Sequence, residues 1–78
     1  MKLKVSLEQA ARNFDLLDTL IRSKRLKNDA ALARLLEVAP PVISKIRNGM
    51  MAVGSALMIN IHETFDMSIA DIRAFVPK

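Results

Sequence analysis

Residues 29–48 read DAALARLLEVAPPVISKIRN, and this stretch decides the fold. Two short helices can cross steeply only where the residue between them is small, and Ala33 is placed to be that residue. Leu32, Leu36, Val38, Ile43 and Ile46 fall at spacings that pack beneath such a crossing and fix its angle. Two prolines in series, Pro40 and Pro41, cannot sit inside a helix. They do suit its first turn, where amide donors are unused. The stretch therefore predicts a helix over 29–37, a turn, and a helix over 40–48. Asn28 can cap the first helix, and Gly49 can close the second in a left-handed conformation.

Upstream, Leu7, Ala10, Phe14, Leu17 and Ile21 recur at three- and four-residue steps. This spacing predicts an amphipathic helix over 6–23 with that stripe inward. Ser6 suits its N-cap, and Arg22 and Lys24 suit the negative end of its dipole. Leu16 and Leu20 widen the apolar face, so they must meet another helix of the chain or a partner. Downstream, Met50 to Val53 reads as a loop. Gly54 or Ser55 starts a helix that runs to Phe65, with Leu57, Met58, Ile61 and Phe65 on one face. Ser68 with Asp71 resembles a capping box for a short helix over 69–75, ended by Pro77. Only Met1 to Val5 looks extended. The reading is all-α, five helices in a single domain over 1–78, without repeats or a low-complexity linker.

The chain has 78 residues, 51% of them apolar. A core of that size is marginal on its own, which favours dimerisation. The absence of cysteine removes disulfide frameworks and thiolate metal sites and fits a reducing cytoplasm. The absence of Trp and Tyr argues against a stacking platform for single-stranded nucleic acid. Glu8 and Arg12 interrupt any signal-peptide core, and no apolar run approaches the ~20 residues of a membrane span, so no membrane partner is expected.

The net charge of +4 is unevenly spread. Residues 1–27 hold seven Lys/Arg against three acids, whereas residues 50–78 hold two against three. Arg22, Lys24, Arg25 and Lys27 cluster just ahead of the opening stretch. Such asymmetry suits a molecule with one side on phosphate and another on protein, although a solvated basic loop would look the same. Enzyme chemistry finds no foothold: there is no nucleophile–base pair, no paired carboxylates and no Gly-rich phosphate loop. His62, alone beside Glu63, reads as a surface or interface residue. No catalytic residue, metal ligand or cofactor is expected.

The alanine, turn, Val, Ile, Ile pattern, closed by Asn48-Gly49 and preceded by a basic flank, resembles the Cro/phage-repressor (xenobiotic-response-element-like) helix-turn-helix family. The resemblance covers roughly Leu17 to Phe75. It implies a compact five-helix lambda-repressor-like DNA-binding domain with a central helix-turn-helix. It further implies a homodimer that binds operator DNA and usually represses transcription. Carried onto this chain, base-facing positions are Ala39, Pro40, Pro41, Ser44, Lys45 and Asn48. Phosphate-facing positions are Asn28 and the residues around Asn48 to Met51. The basic residues Lys24, Arg25 and Lys27, and Arg47 beside the reading face, complete the expected phosphate contacts.

Three departures from the family pattern matter. Glu37 stands at the turn position usually held by Gly. Asp29 stands where a neutral polar residue is common and would approach a phosphate. The reading helix opens with Ala39-Pro40-Pro41-Val42, side chains without a hydrogen-bond donor, which can touch only thymine methyls or exclude other groups. Readout then rests on Ser44, Lys45 and Asn48, with Lys45 as a point donor to guanine. The competing expectation is a protein-interaction module, or an antitoxin-like protein, that keeps the fold and binds mainly a protein partner. Met50, Met51 and the apolar residues Leu16, Leu20, Ile59, Phe75 and Val76 are the candidates for core filling or for a partner-facing surface.

Overall fold

Local capping chemistry sets where each helix of this chain begins and ends, and the outcome is a computed structural model in which residues 3–76 are described. Five helices follow one another: α1 (Leu7–Ser23), α2 (Asp29–Leu35), α3 (Pro40–Arg47), α4 (Ser55–Phe65) and α5 (Ile69–Phe75). No strand occurs among the described residues, so the molecule is all-α. Side-chain oxygens cap three N-termini: Ser6 accepts from Gln9 N, Asn28 from Ala31 N and Ser68 from Asp71 N. Each satisfies one orphan amide of a first turn. Gly54 is the N-cap of α4. Pro77 lies outside the described residues, as do Met1 and Lys2.

The first three helices end alike. Leu26 N donates to Ile21 O at 2.9 Å and Arg25 N to Arg22 O at 3.2 Å; Val38 N donates to Ala33 O at 2.9 Å and Glu37 N to Arg34 O at 3.2 Å; Met50 N donates to Lys45 O at 2.8 Å and Gly49 N to Ile46 O at 3.2 Å. These are paired Schellman bonds, and each needs one left-handed residue. Those residues are Arg25, Glu37 and Gly49, at φ 52°, 58° and 74°. The motif stops α2 at Leu35, two residues short of the span its sequence predicts, because Leu36 is the C-cap and Glu37 already turns the chain. Asn48 likewise caps α3 instead of continuing it.

One core joins all five helices. Leu16, Leu17 and Leu20 of α1, Leu32, Ala33 and Leu36 from the α2 region, Ile43 and Ile46 of α3, Val53, Met58 and Ile61 around α4, and Ile72 and Val76 around α5 are buried together. Ala33 is fully enclosed, and α2 packs chiefly on α3. Asn60 on α4 donates to Leu36 O, satisfying a carbonyl that the end of α2 leaves free.

The inward face of α1 differs from the predicted stripe. Asn13, Leu16, Leu17 and Leu20 are buried, whereas Leu7 is 77% exposed and Phe14 44% exposed. Leu17 belongs to both stripes. Burial of Leu16 and Leu20 beside Leu17 sets the rotation, and Gln9 Nε2, which donates to Asn13 Oδ1 at 2.8 Å and to the Phe75 carbonyl at 3.0 Å, ties α1 to the end of α5. Leu16 and Leu20 thus meet helices of their own chain. Of the surplus apolar residues, Leu16, Leu20 and Val76 are enclosed, Phe75 is half-buried and Ile59 faces outward.

Candidate nucleic-acid interface

Helix α3 divides cleanly by face. Ile43 and Ile46 are fully buried and Val42 is half-buried, while Pro40, Pro41, Ser44, Lys45 and Asn48 are all exposed. Positions 41, 45 and 48 repeat at helical spacing, so the five exposed residues form one outward strip. All five candidate base-contacting residues are therefore brought together. Ala39, the N-cap, is exposed beside them and makes no side-chain cap bond. Lys45 is the one cation on the strip.

The front of the strip has no amide to offer. Pro40 and Pro41 occupy the first two helical positions and lack an N–H. The next amide, Val42 N, is bonded to Ala39 O at 2.9 Å. At the positive end of the α3 dipole an anion finds only the N-cap Ala39 N–H as a donor. Glu37, exposed in the preceding turn, adds a negative charge nearby.

The candidate phosphate-contacting residues are placed differently from one another. Arg25 and Lys27 are exposed in the α1–α2 connection, which also leaves Asn28 exposed with its Oδ1 occupied by Ala31 N at 2.9 Å. Lys24, also exposed, lies with Nζ 5.7 Å from the centroid of the Phe65 ring, a loose cation–π contact toward α4.

Arg47 faces into the helix assembly. Its Nε and one terminal nitrogen donate to the two Asp29 carboxylate oxygens at 2.7 and 2.8 Å, a planar fork. The other terminal nitrogen lies 3.0 Å from Asp18 Oδ1. The guanidinium also stacks over the Phe14 ring, 4.4 Å from its centroid. Its pKa is raised further above the ordinary arginine value, chiefly by the Asp29 hydrogen bond and against the opposing effect of partial burial. All three guanidinium nitrogens are thus engaged, and one side chain of α3 is braced to both α1 and α2. Sequence reasoning treated Asp29 as an acid misplaced near phosphate and Arg47 as a cation beside the reading face. The two anomalies cancel each other, and that pairing of opposite charges across the motif was the available signal.

His62, exposed on α4, bonds through Nδ1 to the Met67 carbonyl, a local link at the helix end. Met51 packs against the core and Met50 is half-buried. Among the described residues no cavity is found and no cluster of potential metal ligands occurs. No helix among them is long and apolar enough to cross a membrane. Comparison with protein-family models, with curated proteins and with solved structures finds no match to this chain.

Proposed function

We propose that this chain is a sequence-specific double-stranded-DNA-binding regulator, a repressor of the Cro/phage-repressor type that acts as a homodimer on a pseudo-palindromic site in the cytoplasm. The carrying observation is the exposed strip Pro40, Pro41, Ser44, Lys45 and Asn48 on a helix whose opposite face is locked into the core. The enclosed Ala33 at the α2–α3 packing and the left-handed Glu37 between those helices support the helix-turn-helix reading. In this reading α3 enters the major groove, and two copies do so about one helical turn, roughly 34 Å, apart. Arg25, Lys27 and Lys24 meet phosphates, while Arg47 holds α3 at its angle. Neither a cofactor nor a chemical reaction is involved.

The test is selection of random duplex DNA against the purified chain, followed by titration of the winning sequence across a salt series. A two-part symmetric motif with a steep salt dependence is expected. Lys45→Ala should weaken binding to that motif by about 1–3 kcal/mol and relax one base position. If Lys45→Ala has no effect and Arg25→Ala with Lys27→Ala has none either, DNA binding is rejected. The donor-poor front of α3 and the internal engagement of Arg47 favour, in that event, a protein-binding or antitoxin-like module.

A further inference from the structure

The front of the exposed α3 strip makes a more specific statement about what it reads. Ala39, Pro40 and Pro41 are exposed side by side. None carries a polar side-chain atom, Pro40 and Pro41 have no amide hydrogen, and the Val42 amide is taken by Ala39 O. Of the backbone there, only the Ala39 N–H is left to donate, and the two prolines have nothing to offer a phosphate or a base acceptor. Helical carbonyls point the other way along the axis, so they offer nothing at this end either. The nearby Glu37 carboxylate further disfavours a phosphate as neighbour. What remains is a small, rigid, dry patch of hydrocarbon at the leading end of a helix.

Among base edges in a major groove, one alone presents hydrocarbon: the C5-methyl group of thymine. We infer that Pro40 and Pro41 are specificity-determining residues that select a 5-methylpyrimidine, thymine in ordinary DNA, by apolar contact. This inference rests on the DNA-binding reading above and deepens it. The prolines discriminate in two ways. They bury the methyl group where it is present, and they leave a base-edge donor or acceptor unpaired where guanine or adenine is offered instead. Proline is suited to the task because its ring is fixed and loses no rotamer freedom on contact. Lys45 follows Pro41 by one helical turn, an axial rise of about 6 Å. The 5-methylpyrimidine and the base read by Lys45 therefore belong to the same half-site.

The experiment uses the full chain and the duplex recovered by selection. Each thymine of a half-site is replaced in turn by deoxyuridine, which removes the methyl group and keeps every hydrogen-bonding atom. Binding should weaken about fourfold at one or two positions per half-site, the equivalent of ~0.8 kcal/mol for a buried carbon. Cytosine at the same position should bind poorly, and 5-methylcytosine should restore part of the affinity. In Pro40→Ser with Pro41→Ser, residues well accepted in a first helical turn, the deoxyuridine effect should disappear; circular dichroism verifies the helix content of that variant. A selected motif that binds tightly, yet is insensitive to every methyl removal or equally sensitive in the proline variant, overturns this inference and leaves the DNA-binding reading standing. Failure to recover any motif removes both.

Discussion

At the scale of single residues, the left-handed positions separate into two kinds. Glu37, at φ 58°, is exposed and has a Cβ where the backbone disfavours one. Gly49, at φ 74°, is buried, and a Cβ there would lie 2.8 Å from Leu3 Cδ2 and 3.2 Å from Ala10 Cβ. The same helix-ending motif thus predicts opposite signs. Glu37→Gly should stabilise the fold by about 0.5–1 kcal/mol, relief of strain exceeding the entropy that glycine adds to the unfolded chain. Gly49→Ala should destabilise it by about 1–2 kcal/mol from backbone strain alone, with displacement of Leu3 adding to that. Urea midpoints for the two variants, at unchanged denaturant slope, test both signs. Gly49 was legible in the sequence because glycine after a helix has one common use. The turn at Glu37 was placed by the family resemblance, whereas the helix read over 29–37 ran through it, because a Glu side chain gives no hint of a left-handed backbone.

At the scale of elements, caps were easier to read than faces. Ser6, Asn28, Gly49 and Ser68 mark helix limits by local chemistry, and α1, α4 and α5 lie where those signals put them. The burial of α1 was not legible, because Leu17 belongs to two overlapping stripes. The choice between them is made by Leu16 and Leu20, which the other helices enclose, with Gln9 adding a tie from Asn13 to distant α5. The Asn13 Nδ2 atom is buried without a hydrogen-bond partner, the kind of interior group that periodicity assigns to the surface. The Arg47 brace left no periodic imprint, since one side chain spans three helices, and its trace in the sequence was the opposite charge of Asp29 across the motif. It makes a prediction of its own. Arg47→Lys keeps the charge but loses the fork on Asp29 and the flat stack on Phe14. Stability should fall by about 1–2 kcal/mol, lowering the thermal midpoint by roughly 4–8 °C per kcal/mol in a domain of this size. Arg12→Lys, an exposed change on α1, should stay within about 0.5 kcal/mol of the parent. Equal effects of the two substitutions would show that the brace contributes nothing beyond charge.

At the scale of the whole molecule, the count of 12 Lys and Arg overstates the cations available to a polyanion, because Arg47 is held by Asp18 and Asp29. If DNA is the partner, the salt dependence of binding should report this partition. Removing Arg25 and Lys27 should reduce the log–log salt slope by about 2 per subunit, whereas Arg47→Gln should leave the slope nearly unchanged. Titration from low to moderate salt distinguishes the two outcomes, and a loss of about 1 in slope from Arg47→Gln would return that residue to the phosphate-contacting set. The helix endings carry a further consequence, and it concerns time. Ile21–Leu26, Ala33–Val38 and Lys45–Met50 are each closed by a bond that spans five residues. Each helix can therefore stop itself before any distant part of the chain has arrived. What is left to diffusion is the docking of short, pre-punctuated rods across brief connections. Chains of that low contact order cross their barrier in microseconds to milliseconds. The main phase of refolding from urea should accordingly be fast.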